Sequence, residues 1–128
     1  MTPRRLLALT TLALATAVLP TTPAYAGDGD VVRRGGCSGA TSWKLKASPE
    51  DSRIEVEAEV DSNVNGQSWK WRLKHNGDVT ARGTGTTKAP SGSFEVRRVV
   101  VDLDGTDTLV FRAKNPATDE ICRGVVKF

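Results

Sequence analysis

The chain is short of the residues on which most catalysis depends. Of its 128 residues, one is histidine, one is tyrosine, two are cysteine, and aromatic residues make up only 5%. A general acid or base is most often a histidine, and a nucleophile needs such a partner within reach. His75, the single histidine, abuts an Asn-Gly pair, and no Ser or Asp is recognisably spaced to work with it. Cys37 and Cys122 form no Cys-x-x-Cys and have one histidine between them, too little for a zinc or redox centre. For two-carboxylate glycoside hydrolysis the acids in reach are Glu55, Glu57 and Glu59, which fall on one side of one strand beside lysines that neutralise them. The expectation is a protein without enzymatic activity, metal or other cofactor.

Long apolar runs are also scarce. The single one, residues 6–19, is built of Leu, Ala, Val and Thr and is shorter than the roughly 20 residues a spanning helix requires. Arg4 and Arg5 precede it, Pro20 ends it, and Ala24-Tyr25-Ala26 supplies the small-x-small pattern of a peptidase site. Residues 1–26 therefore read as an export signal cleaved after Ala26, which predicts a secreted, extracellular protein with no transmembrane segment. The first cysteine, Cys37, lies behind a polar segment, so a lipid anchor is not expected. Thr2-Pro3-Arg4-Arg5-Leu6 leaves the general and twin-arginine routes both open. Without Arg4 and Arg5 the 18 basic residues become 16 against 15 acids, so the formal charge of +3 falls to about +1.

A mature chain of about 100 residues is one domain, and a marginal one without a covalent staple. In an oxidising compartment Cys37 and Cys122 read as that staple. Period-2 alternation recurs, and no helical stripe competes with it. Trp43, Leu45 and Ala47 alternate with lysines; Ile54, Val56, Ala58 and Val60 alternate with glutamates; Trp69, Trp71 and Leu73 alternate with Lys70, Arg72 and Lys74. His75-Asn76-Gly77-Asp78 predicts a tight hairpin into a weak strand that starts at Val79 and Ala81 and dissolves into a Gly/Thr-rich stretch over residues 83–92. Phe94 and Val96 resume the pattern, Arg97-Arg98 interrupts it, and residues 99–103 restore it out of phase, as a β-bulge would. Leu109, Phe111 and Ala113, then Cys122, Gly124, Val126 and Phe128, complete about seven strands. The expected organisation is an unpatterned leader over residues 27–36 and an all-β sandwich over residues 37–128.

Trp69-Lys70-Trp71 and the segment Asp107-Thr108-Leu109-Val110-Phe111-Arg112-Ala113-Lys114-Asn115 resemble immunoglobulin-like and fibronectin type III domains. The resemblance implies a two-sheet sandwich. It departs in its cysteines, which are not on the second and sixth strands, and in Leu109, which stands about where such domains place a corner tyrosine. The whole chain, with Cys37-Ser38-Gly39-Ala40-Thr41 and the Asn-Gly turn, also resembles small secreted proteins of actinobacteria, a resemblance that implies export and origin but no activity.

Three features are candidate sites. Asp61-Ser62-Asn63-Val64-Asn65-Gly66 matches the opening of an EF-hand loop, but the position needing a bidentate glutamate is Arg72, inside a strand. That loop and the acidic turn carrying Asp102, Asp104 and Asp107 are expected at opposite ends of the sandwich, and turn chemistry explains both. Trp69 and Trp71 have the spacing of a sugar-stacking platform, but a domain so poor in aromatics is expected to bury them. The third feature is charge by face. With the tryptophans inward, Lys70, Arg72, Lys74, Arg112, Lys114, Arg123 and Lys127 share the outer face of one sheet, whereas the other sheet balances Glu55, Glu57 and Glu59 with Lys44, Lys46 and Arg97. An unbalanced basic face suits an anionic envelope polymer or an acidic protein surface; nucleic acid is disfavoured because no aromatic is expected beside it. Loops over residues 61–67, 83–93 and 115–120 are expected to gather at one end; a secreted protease inhibitor presenting one end loop, for example 115–120, to its enzyme is the second reading, and a purely structural envelope component is the third.

Overall fold

A computed structural model describes residues 29–128; the export signal expected over residues 1–26 lies outside them. Eight strands follow in order: β1 (Val31–Gly36), β2 (Ser42–Glu50), β3 (Arg53–Asp61), β4 (Ser68–His75), β5 (Asp78–Thr86), β6 (Ser93–Val101), β7 (Thr108–Lys114) and β8 (Ile121–Lys127). They form two antiparallel four-stranded sheets, ordered β1-β2-β3-β6 and β5-β4-β7-β8. Strands β2 to β8 thus follow an immunoglobulin-like Greek key, to which β1 adds an edge. No helix among the described residues is long and apolar enough to cross a membrane.

Alternation dictates which side chains meet between the sheets. Ile54, Val56, Ala58 and Val60 of β3 are buried and face Trp69, Trp71, Leu73 and Phe111 of the opposite sheet in one core cluster. Trp69 is 0% and Trp71 6% exposed, so neither serves as a sugar platform. Glycine makes room for the rings of Trp71 and Phe94. A Cβ on Gly85 would stand 2.3 Å from the Phe94 ring, and one on Gly83 2.9 Å from that of Trp71. The Gly/Thr-rich stretch that weakens the strand signal therefore lets β5 lie flat against two rings, and β5 continues to Thr86.

Two further expectations are corrected. Residues 31–36 belong to the sandwich, not to a leader: β1 pairs with β2 from Val31↔Ala47 to Gly36↔Ser42. Arg33-Arg34-Gly35-Gly36 hides the alternation, and Gly35 is small because the Trp43 ring fills the space its Cβ would occupy, 2.7 Å away. The interruption at Arg97-Arg98 is not a bulge, since β3 and β6 stay in register from Arg53↔Val101 to Asp61↔Ser93. Arg98 has the parity of an inward position but stays exposed, lying over the Trp71 ring 5.0 Å from its centroid; solvent and this cation–π contact together let a cation stand where an apolar residue is expected. Val99 and Val101 consequently point outward, 39% and 61% exposed. The irregularity lies elsewhere, between β4 and β5, where the register shifts between Leu73 and Lys74.

The expected hairpin is present: Asn76 (φ 49°) and Gly77 (φ 91°) are the two left-handed residues a type I′ turn demands. The disulfide joins Cys37, just after β1, to Cys122 in β8, bridging the two sheets with Cα atoms 4.3 Å apart. At the end opposite the Asn76-Gly77 hairpin, the β3–β4 and β5–β6 loops are tied by main-chain hydrogen bonds between Gly66 and Thr87 (2.7 Å) and between Ser62 and Gly92 (3.0 Å). The β7–β8 loop shares that end, tied to Thr41 through Glu120.

Candidate functional site

The outer face of the β5-β4-β7-β8 sheet is read directly from its registers. Arg72 stands opposite Arg82 on one side and Arg112 on the other, and Arg112 stands opposite Arg123. Four arginines therefore cross the whole sheet in one row, one per strand, at a strand spacing of about 4.8 Å. Beside it, Lys70 stands opposite Lys114, between Thr84 and Ile121. On the other flank Lys74 is set among Val79, Val110 and Val125. Lys127, opposite Thr108, is separated from Arg123 by Val125 and stands apart. Of the seven basic residues expected on this face, six adjoin one another and Lys127 does not.

Like charges directly opposite one another destabilise a sheet, and nothing on this face offsets the row. Among the described residues its single ion pair is Lys114 with Asp119, 3.4 Å apart and mostly in solvent, which contributes little. The other sheet is arranged differently. Lys46 lies 3.4 Å from Asp30 and 4.0 Å from Glu57, while Arg97 contacts Glu55 at 2.5 Å and Glu50 at 3.3 Å. The Arg97 guanidinium, helped by hydrogen bonds within the glutamate cluster, holds the Glu55 carboxyl down at about 2, and Glu50 and Glu57, hydrogen-bonded to Glu55, are pushed up. One face is thus self-neutralised and the other is not.

A groove of about 380 Å³ runs over the basic face, walled by Lys70, Arg72, Arg82, Arg112 and Lys114, with Val79, Pro116 and the edge of Trp71 as its apolar surface. Arg82 is the residue that reading the sequence missed. Its strand looked too weak to extend, although Thr80, taken as one extra residue, puts Ala81 inward against Leu73 and Arg82 outward against Arg72.

His75 does meet an acid. Its Nε2 lies 2.5 Å from Asp107 Oδ1, which also accepts the Leu103 amide at 3.2 Å; Asp107 Oδ2 is buried without a hydrogen-bond partner. Burial pushes the Asp107 carboxyl up, but the hydrogen bonds from His75 and Leu103 outweigh it and hold it below the usual carboxylate range. The pair is 8% and 0% exposed, and neither residue walls the basic groove. Asp107 also exchanges two main-chain hydrogen bonds of 2.9 Å with Phe128. The pair fastens the β6–β7 loop and the chain end to the tip of β4.

The two acidic loops lie at opposite ends, because Asp61 ends β3 opposite Ser93 whereas Asp102 follows β6 at the Arg53 end. Asp61 Oδ1 accepts the Asn63 amide at 3.0 Å, the turn chemistry anticipated for it. Among the described residues no three His, Cys, Asp or Glu side chains are grouped to hold a metal ion. Comparison of the chain with protein-family models, curated proteins and solved structures yields no match.

Proposed function

We propose that the protein is an exported binding domain without catalytic activity, which holds an anionic polymer or an acidic partner against its arginine-rich sheet face. The observation that carries this reading is the cross-strand row Arg82, Arg72, Arg112 and Arg123 with no acid among its neighbours. Such a row costs stability in the free protein, and an anion laid along it relieves that cost through charge-assisted hydrogen bonds. Export rests on the charged start, apolar run and Ala24-Tyr25-Ala26 of the first 26 residues, and the Cys37–Cys122 bridge suits an oxidising compartment.

The test measures retention on an immobilised polyanion against salt. The wild type should be retained and then released as salt rises, since exposed charges are screened within about 10 Å at 0.1 M and about 3 Å at 1 M. Arg72→Glu with Arg112→Glu should abolish retention, whereas Lys46→Glu on the opposite sheet should leave it unchanged. Equal retention of all three proteins would refute the reading. Mass spectrometry of protein from the culture medium, with a chain beginning at Gly27, tests export.

A further inference from the structure

We infer that the occupant of the groove is a linear chain of phosphate groups joined by short links, lying across the strands over Arg82, Arg72 and Arg112 and extending past the groove to Arg123. This deepens the binding reading above and rests on it.

The row sets the direction. Cations repeat from strand to strand, and the outermost, Arg82 and Arg123, are three strand spacings apart, roughly 15 Å. Along the strands the runs are shorter: β4 carries Lys70, Arg72 and Lys74 and β7 carries Arg112 and Lys114, while the positions level with Lys74 on the other three strands are Val79, Val110 and Val125. A linear ligand meets the most charge by crossing the strands.

The side-chain type sets the chemistry. The central row is entirely arginine, with the lysines to its sides. A guanidinium offers paired N–H groups in one plane, which ammonium does not. An anion seated between two neighbouring arginines must accept from two such planes. The oxygens of a carboxylate accept best in the plane of the group, whereas the two non-bridging oxygens of a chain phosphate also accept from outside their O–P–O plane, so one phosphate can serve two differently oriented guanidinium groups. Phosphates seated in the gaps along the row separate every pair of opposed guanidinium groups.

The surroundings exclude the other carriers of phosphate. Trp69 and Trp71 are 0% and 6% exposed, so the groove presents no ring face on which a nucleobase can stack. Its apolar lining is Val79, Pro116 and the buried Trp71, which leaves no exposed aromatic side chain to seat in a lipid interface. The part of the ligand that is recognised is its anionic chain.

Titration of the protein at 150 mM salt with long-chain inorganic polyphosphate, tripolyphosphate, poly-glutamate of matched charge, single-stranded oligo-dT and vesicles rich in phosphatidylglycerol tests this. Polyphosphate should bind roughly tenfold tighter than poly-glutamate, a difference of about 1.4 kcal/mol, and tripolyphosphate, too short to follow the row, should bind weakly. Arg72→Lys with Arg112→Lys keeps the charge but removes two forks; it should lose about fivefold or more in polyphosphate affinity and a smaller factor in poly-glutamate affinity, so that the ratio between the two ligands falls. Unchanged thermal melting of that variant shows that it is folded. Equal affinity for poly-glutamate, tighter binding of oligo-dT or vesicles, or indifference to the lysine substitutions would overturn phosphate selection and leave the basic-face reading standing. Failure of every anion to bind would overturn both.

Discussion

Replacing Arg72 by glutamate should make the domain more stable and a worse binder of anions. Arg72 has a like charge opposite it on both sides, Arg82 and Arg112. A directly opposed pair of charges across strands changes stability by roughly 0.2–1 kcal/mol, favourably when the signs differ and unfavourably when they match. Reversal converts two unfavourable contacts into two favourable ones, so the gain is about 1–2 kcal/mol at low ionic strength after a few tenths are lost to the lower strand propensity of glutamate. For a domain of this size that is a rise in Tm of roughly 5–10 °C. Thermal unfolding followed by circular dichroism in 20 mM and in 1 M NaCl measures it. At 1 M the screening length, about 3 Å, is shorter than the strand spacing, so the advantage should shrink by more than half while the wild type itself gains. Lys46→Glu is the control of opposite sign, because Lys46 is paired with Asp30 and Glu57; it should destabilise. An Arg72→Glu protein that melts at or below the wild type in low salt, or by a margin that salt does not alter, would show that the row carries no repulsion, and the argument for its function would go with it.

Other perturbations probe the remaining parts of the argument. Replacing both Cys37 and Cys122 by serine frees a loop of 85 residues and should cost about 4 kcal/mol in the chain-entropy account, read as a lowered midpoint in urea relative to the oxidised wild type. Gly85→Val places a side chain where the Phe94 ring already lies, 2.3 Å from the new Cβ; a loss of about 2–3 kcal/mol from overpacking is expected in the same assay. Arg97→Gln should let the Glu55 carboxyl rise from about 2 toward the ordinary range near 4.5, followed by carboxyl NMR. The sign for stability follows from that depression: the ionised Glu55 contributes above its unfolded value near 4.5, and the contribution is lost as the pH falls toward about 2. Arg97→Gln should flatten that acid limb, against the opposite drift of Glu50 and Glu57, whose carboxyls are raised.

Much of the fold was legible in the chain itself. Strict alternation in β3 and β4 told inward from outward correctly at every position from Ile54 to Val60 and from Trp69 to Leu73, because a half-buried strand leaves its mark residue by residue. The Asn-Gly turn was readable for a similar reason: left-handed backbone restricts composition locally. Two of the four edge strands, β1 and the far part of β5, were not legible. β1 hydrogen-bonds to one neighbour only and carries two glycines, one of them emptied by the Trp43 ring from the next strand; β5 carries glycines emptied by Phe94 and Trp71. In both, the missing side chain belongs to a contact made by a residue elsewhere in the sequence, and no local pattern records it. Arg98 was misread for the same reason, since the ring that makes an inward arginine tolerable lies in the opposite sheet.

The sequence by itself determined that the chain is all-β, that one sheet face is basic, and which of its residues carry that charge on β4, β7 and β8, since parity along a strand is a local property. Only the tertiary structure decided how those charges are spaced. Register between strands depends on turn lengths, on the irregularity beside Lys74 and on partners far apart in the chain, and it turned a scatter of cations into a single row of four arginines, one of them supplied by a strand that had looked too weak to matter.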